Sequence, residues 1–162
     1  HRDLHSFPTR RSSDLNLETG EMEYANAGHN PPLLLRHKAG EFVPFERTGM
    51  ALGVLEGNRI EGRSIQLGTE DFVIMYTDGV TEAFSPDGDI FGEQRLFDTV
   101  LRAVNGDMRH VIDSQTILES IDEAVSNFVD DTTVSDDLTL LILKCISKSK
   151  GLPDVGGTRP AI

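Results

Sequence analysis

Two apolar segments, each joined to acidic residues at one end, constrain the fold of this chain more than any other feature. Residues 72–77 read FVIMYT and run directly into Asp78, while Asp136 and Asp137 lead into LTLLILKCI. The second segment is apolar at nearly every position, which predicts a central strand covered on both faces. We expect the two strands to be sheet neighbours that carry acidic clusters at their ends.

The remaining pattern predicts an α+β fold. An antiparallel meander is indicated by EMEYANAG, the stop at Pro31-Pro32, LLLR and EFVPF, and a further strand by RIEGRSIQL. Apolar residues at helical spacing predict two amphipathic helices, one in EQRLFDTVLRAV and one over residues 110–128. Their apolar stripes consist of Leu96, Val100, Leu101 and Val104 in the first, and Ile117, Ile121, Ala124, Val125 and Phe128 in the second.

Charge and composition exclude several classes of function. The chain has 162 residues, with 15 Lys and Arg against 27 Asp and Glu, and a net charge of -12 repels nucleic acid and anionic membrane surfaces. No apolar stretch approaches the roughly 20 residues that cross a bilayer, so we expect no membrane contact. The single cysteine, Cys145, cannot form an internal disulfide, which favours a reducing cytoplasm.

The first fifteen residues, HRDLHSFPTRRSSDL, differ in composition from everything that follows. Read back through the genetic code, they resemble a common sequencing-adapter oligonucleotide over their whole length. We therefore predict that residues 1–15 are a non-native adapter translation and leave them out of the fold prediction. An N-terminally truncated fragment is the expectation that follows.

Carboxylates at the ends of apolar strands point to a cation site. A charge in such a place is unfavourable unless it is paired or bound to an ion, and hard divalent cations prefer oxygen ligands. Each cluster also has a simpler interpretation. Asp78-Gly79 is a common hairpin turn, and Asp136-Asp137 follows the acidic stretch VDDTT, which is typical of a solvated loop.

A set of ordered motifs adds a family resemblance. The segments YANAGHNPPLLLR, ALGV, YTDGVTEAF, DIFGEQRL and SDDLTLLIL occur in this order between Tyr24 and Leu143. Their order and spacing are similar to those of SpoIIE-like phosphatases, which belong to the PPM-type Ser/Thr phosphatases. The resemblance implies an antiparallel β-sandwich flanked by helices on both outer faces. It also implies a pair of Mn²⁺ or Mg²⁺ ions at one end of the intact domain.

The resemblance assigns metal-binding roles to particular residues. Asp78 matches the metal-binding aspartate of the family motif. Asp136 matches the last metal ligand, because an Asp followed by Asp or Asn, an aliphatic residue and Thr has that role in related phosphatases, and Asp137 is the alternative. Gly79 is expected to support the metal loop by allowing a close backbone approach.

Glu82 and His29 are alternative site residues. Glu82 follows the metal motif, and we interpret it as structural rather than catalytic. His29 has the chemistry of a general acid for the leaving alkoxide. The favoured interpretation is that its imidazole and the Asn30 amide hydrogen-bond the turn before Pro31.

The same resemblance implies a function for the intact parent, namely hydrolysis of phosphoserine or phosphothreonine on a protein, expected to be an anti-anti-sigma (STAS) regulator in bacterial signalling. The family's N-terminal motifs, a Gly-Asp strand and an Asp-Val-x-Gly-His-Gly-like turn, have no match here, so residues 16–146 are predicted to be the C-terminal part of the domain and inactive alone. A homodimer is a further expectation, and residues 147–162 are predicted to be a disordered tail. The alternative function is a non-catalytic phosphatase-like module that binds a partner.

Overall fold

The computed structural model describes residues 11–51, 54, 59–106, 112–129 and 137–146. Its elements are β1 (Arg11–Leu15), β2 (Glu21–Asn26), β3 (Leu33–Arg36), β4 (Glu41–Pro44), β5 (Arg63–Gln66), β6 (Phe72–Tyr76), α1 (Asp78–Thr81), α2 (Gly92–Asn105), α3 (Ser114–Phe128) and β7 (Leu140–Lys144). All pairings between these strands are antiparallel. Of these helices, none combines the length and apolar character that a bilayer crossing requires.

The strands form two sheets that pack against each other. One has the order β1-β2-β5 and the other the order β4-β3-β6-β7. Side chains from both sheets meet in one apolar cluster, which includes Met22 and Tyr24 of β2, Leu34 of β3 and Val73 of β6. The opposite faces of β3 and β6 belong to a second cluster with the helices. Both faces of β6 are therefore covered, which explains why FVIMY lacks polar residues.

The helices form a third layer on the four-stranded sheet. Leu96 and Val100 of α2 and Ile117 and Ile121 of α3 are fully buried against this sheet. The predicted helical stripes and the α+β class are thus confirmed. Within the described ranges the three-stranded sheet has no matching helical layer, since Glu21 and Glu23 of β2 are exposed. The second outer layer implied by the family resemblance is not observed there.

The predicted pairing of the two apolar strands is confirmed, but their order is not as expected. β6 pairs with β7 from Phe72 opposite Lys144 to Tyr76 opposite Leu140. β7 lies at the edge of the described sheet, and Leu141 is 56% exposed, so the prediction of a central strand was wrong. A continuous apolar run does not reveal whether both of its faces are covered.

The predicted meander is only partly correct. β3 and β4 form the expected hairpin around Gly40, whose φ of 67° is readily adopted by glycine. β2, however, belongs to the other sheet and pairs with β1 and β5. The connection 27–32 therefore crosses between sheets, and it ends in two prolines that cannot donate ladder hydrogen bonds.

One strand comes from the segment left out of the fold prediction. Arg11–Leu15 forms β1 and pairs with β2 over its whole length, from Arg11 opposite Asn26 to Leu15 opposite Met22. The adapter origin of residues 1–15 concerns their source and stays a prediction. The domain limits at residue 16 and the disordered tail 147–162 also stay predictions, and the tail lies outside the described residues.

Helix α3 begins at an aspartate that caps it. Asp113 accepts hydrogen bonds from the Thr116 backbone N–H and hydroxyl, both at 2.8 Å. The predicted start at residue 110 was therefore early, although residues 107–111 themselves lie outside the described ranges. These hydrogen bonds, chiefly the one from the Thr116 backbone, lower the pKa of Asp113 below its usual value.

The Asp113 cap predicts a pH dependence of stability. Because the folded-state pKa is lower than the unfolded one, the stabilisation is complete above the unfolded value of about 3.9 and is lost as pH falls through the folded pKa. Asp113→Ala should therefore be less stable than wild type near neutral pH, and the gap should narrow in acid. Urea unfolding midpoints of wild type and Asp113→Ala, measured near neutral pH and in acid, give this difference in stability. Asp122→Ala, at an exposed position in α3, is the control. A gap that is constant with pH would contradict the prediction.

Candidate metal centre

Asp78 and Asp137, two of the acidic residues predicted as ligands or alternatives, lie at one end of the four-stranded sheet. Because Tyr76 lies opposite Leu140, Asp78 just after β6 and Asp137 just before β7 leave the sheet at the same end. Both are exposed. Asp136, the first choice for the last ligand, lies outside the described residues. The structure therefore brings the two predicted segments together, and the choice of Asp136 over Asp137 stays a prediction.

Thr77 connects these two segments directly. Its hydroxyl donates to the Asp137 carbonyl at 3.0 Å and accepts from the Thr139 N–H at 3.0 Å. Its backbone N–H donates to the Thr139 carbonyl at 3.1 Å. Sequence reasoning gave Thr77 no role of its own, because nothing local marks a partner 60 residues away.

Asp78 opens a short helical turn rather than the hairpin that Asp-Gly often forms. Its Oδ1 accepts from the Gly79 N–H at 3.2 Å, and its carbonyl accepts from the Glu82 N–H at 2.7 Å. Gly79 and Val80 are buried, so the turn is anchored to the core while the Asp78 side chain faces outward. Glu82 is exposed at the C-cap of α1, in keeping with a structural position.

The loop that contains His29 starts from the same sheet end, since Leu33 at the start of β3 lies opposite Ile74 near the end of β6. Asn26 holds this loop. Its side-chain oxygen accepts from the His29 N–H at 2.9 Å, and its amide donates to the His29 carbonyl at 3.1 Å. The Asn26 backbone in turn accepts from the Thr48 N–H at 2.9 Å. The side chain of Asn26, for which the sequence analysis predicts no role, thus hydrogen-bonds this turn, and the predicted roles of the His29 imidazole and the Asn30 amide stay predictions.

Two features explain why the loop has this sequence. Asparagine three residues before His29 is typical of side-chain-stabilised turns, and that spacing was the available signal. Gly28 has a φ of +80°, and a Cβ there would lie 3.0 Å from the Ala51 Cβ. Glycine therefore serves both the backbone conformation and the close contact with the segment around Ala51. A catalytic role for His29 stays untested.

Removing the Asn26 side chain should destabilise the domain. Asn26 is 1% exposed, and its side chain makes one hydrogen bond to the His29 N–H and one to the His29 carbonyl. Asn26→Ala removes both of these hydrogen bonds. An unsatisfied buried polar group costs about 1–3 kcal/mol. Urea unfolding measures the change, with the exposed Asn105→Ala as the matched control. Equal midpoints for the two variants would show that Asn26 does not hold the loop.

The candidate ligands have the oxygen donors that a hard divalent cation prefers. Asp78 and Asp137 supply carboxylate oxygens, which Mg²⁺ and Mn²⁺ prefer. Within the described ranges, no group of three His, Cys, Asp or Glu side chains is close enough to hold a metal ion. The assignment of Asp78 and Asp137 as metal ligands therefore stays a prediction.

Comparison with known proteins identifies the family of this chain. The model of the family Stage II sporulation protein E (SpoIIE) matches residues 5–146. Protein IcfG of Synechocystis is 29% identical over 87% of this chain, and the phosphoserine phosphatase RsbU of Bacillus subtilis is 26% identical over 88%. The chain spans 21% and 40% of these two relatives.

A solved structure gives the same fold. The phosphatase domain of the cell fate determinant SpoIIE from Bacillus subtilis matches with a TM-score of 0.63 and 17% identity, over 92% of this chain and 63% of that one. At this identity the likeness concerns the fold, and it confirms the predicted phosphatase-type arrangement of antiparallel sheets and helices. The family match over residues 5–146 shows that the chain belongs to the SpoIIE family.

Proposed function

We propose that the intact protein is a PPM-type phosphatase that removes phosphate from serine or threonine on a protein, with Asp78 and Asp136 among its metal ligands. One observation carries the proposal, namely that a chain of the SpoIIE family holds Asp78 and the Asp137 segment together at one sheet end. RsbU, a relative at 26% identity, is a phosphoserine phosphatase.

Each residue of the proposed site would have a distinct role. Asp78, with Asp136 or its alternative Asp137, would hold Mn²⁺ or Mg²⁺ through carboxylate oxygens. Such ions, when bound, lower the pKa of coordinated water and neutralise phosphoryl oxygens, so no covalent enzyme intermediate is needed. The chain contributes rigid placement, because β6 is anchored on both faces by the core and Gly79 and Val80 are buried beneath Asp78.

The substrate belongs to the same proposal. We expect a phosphorylated anti-anti-sigma (STAS) protein in the bacterial cytoplasm, because phosphatases of this family act in such regulation. The net charge of -12 argues against nucleic acid as a partner. A homodimer also stays a proposal.

This chain alone should have negligible activity. Hard cations usually need several protein oxygen ligands to stay bound, and the matching family motifs with the other aspartates are not among these 162 residues. The first experiment is to sequence the gene upstream of residue 16. The second compares the 162-residue chain with an extended protein, which also contains the upstream sequence. Phosphate release from a phosphoserine STAS protein is measured for both, once with Mn²⁺ and once with a chelator. Release by the extended protein that is independent of metal would rule the proposal out.

The alternative is a phosphatase-like module that binds a protein partner without hydrolysis. It would be supported by an upstream sequence without the Gly-Asp and Asp-Val-x-Gly-His-Gly-like motifs, together with binding of the STAS protein and no phosphate release. Asp78 and Asp136 favour the enzyme, because a binding module has no need to keep acidic residues at this sheet end.

A further inference from the structure

The hydroxyl of Thr77 lies where the chain around Asp78 meets the chain around Asp137. A threonine at this position usually caps the helix that follows it. Thr77 is the N-cap residue of α1, with extended backbone angles, and a threonine there usually accepts a hydrogen bond from the helix it precedes. Its side chain makes no capping hydrogen bond. The hydroxyl points instead across to the segment before β7.

This contact extends the pairing of β6 and β7 beyond the end of the sheet. The strand register ends with Tyr76 opposite Leu140. One backbone hydrogen bond, from Thr77 to Thr139, continues it. The hydroxyl then reaches the Asp137 carbonyl and the Thr139 N–H, so it restrains the chain at Asp137.

We propose that Thr77 is a positioning residue that sets the spacing between Asp78 and Asp137 for cation binding. The inference rests on the proposed function, because it assumes that these acids bind a metal. It extends that function by assigning the spacing of the ligands to a residue that binds no metal itself. Outer-shell partners of metal ligands typically change affinity by about 10–100-fold when removed.

A purely structural role predicts a different outcome. Asp137 and Thr139 are both exposed, so water can replace the hydroxyl as their hydrogen-bonding partner. Loss of the hydroxyl should therefore leave the fold intact and alter mainly the placement of the acids. Thr77→Val removes the hydroxyl at constant shape, and Thr77→Ser retains it.

Paramagnetic broadening of amide NMR signals by Mn²⁺ tests the proposal on the 162-residue chain, since it detects weak binding and requires no activity. In wild type and Thr77→Ser, signals from residues 78–80 and 137–139 should broaden over the same Mn²⁺ range. In Thr77→Val, broadening should require at least about tenfold more Mn²⁺. The signals from residues 78–80 and those from residues 137–139 should then broaden over different Mn²⁺ ranges. Thr69→Val, which removes an exposed hydroxyl in the turn before β6, should behave as wild type.

Asp78→Asn distinguishes failure of the proposed metal site from failure of the proposed role of Thr77. If it keeps the wild-type broadening, the proposed metal site is wrong and the role of Thr77 falls with it. If Asp78→Asn loses broadening while Thr77→Val matches wild type, only the role of Thr77 is overturned. A measurement without variants gives a second test, in which saturating Mg²⁺ should slow hydrogen exchange of the Thr139 amide in the wild-type chain. Unchanged exchange would contradict the proposal.

Discussion

Asp78→Asn in the extended protein should lower Mn²⁺-dependent phosphate release by more than roughly 100-fold. Loss of an outer-shell partner already costs about 10–100-fold in affinity or activity, and Asp78 is proposed to contact the metal itself. Asparagine retains the size of the side chain but removes the negative charge, so the expected defect is in metal binding. Phosphate release from p-nitrophenyl phosphate, measured over a range of Mn²⁺ concentrations, quantifies it.

The control for this prediction is Asp87→Asn. Asp87 is an exposed acid in the turn that follows α1, and its replacement removes the same charge close by in the chain. The control should retain wild-type turnover, and the melting temperatures of both variants without metal should stay close to wild type. Equal turnover by Asp78→Asn and wild type would remove Asp78 from the site.

Ile74→Ala should shift unfolding to a lower urea concentration, so that a large part of its population is unfolded in urea that leaves the wild type folded. Ile74 is fully buried at the centre of β6, between Leu33 and Ile142, and it packs against the helices. Replacing a buried isoleucine by alanine costs about 2–5 kcal/mol through lost burial and the cavity left behind. Domains of this kind have about 5–15 kcal/mol in total, so the change is a substantial share.

The matched control is Leu141→Ala on the neighbouring strand. Leu141 is 56% exposed, so its truncation should change the free energy of unfolding by only about 0.5 kcal/mol. Urea unfolding at constant slope measures both variants. Similar midpoints would show that the sheet and helices do not pack as described. Because β6 leads into Asp78, Ile74→Ala should also weaken metal binding when the native fraction falls.

Secondary structure with a strong local pattern was predictable from the sequence. The stripe from Leu96 to Val104 and the stripe from Ile117 to Phe128 follow the helical period, and the structure buries them as expected. The hairpin around Gly40 has a local turn signal and was also predictable. These elements depend on residues only a few positions apart, so the sequence itself contains the information.

The assignment of strands to sheets was less predictable. Alternation in β2 and β3 suggested one meander, whereas β2 pairs with β1 and β5. The apolar run of β7 suggested a central strand, whereas Leu141 is exposed at a sheet edge. Both differences arise from pairings between distant segments, which periodicity within one segment does not specify.

For the candidate site, the sequence by itself predicted the chemistry, and the tertiary structure decided how the described residues are arranged. Asp78 after an apolar strand, and Asp136 and Asp137 before another, indicated oxygen ligands for a hard cation, because residue type and strand ends are local properties. The sequence also predicted that these strands are neighbours, but only the fold set their register and revealed that Thr77 connects them. Hydrogen bonds between residues 60 positions apart depend on the path of the whole chain.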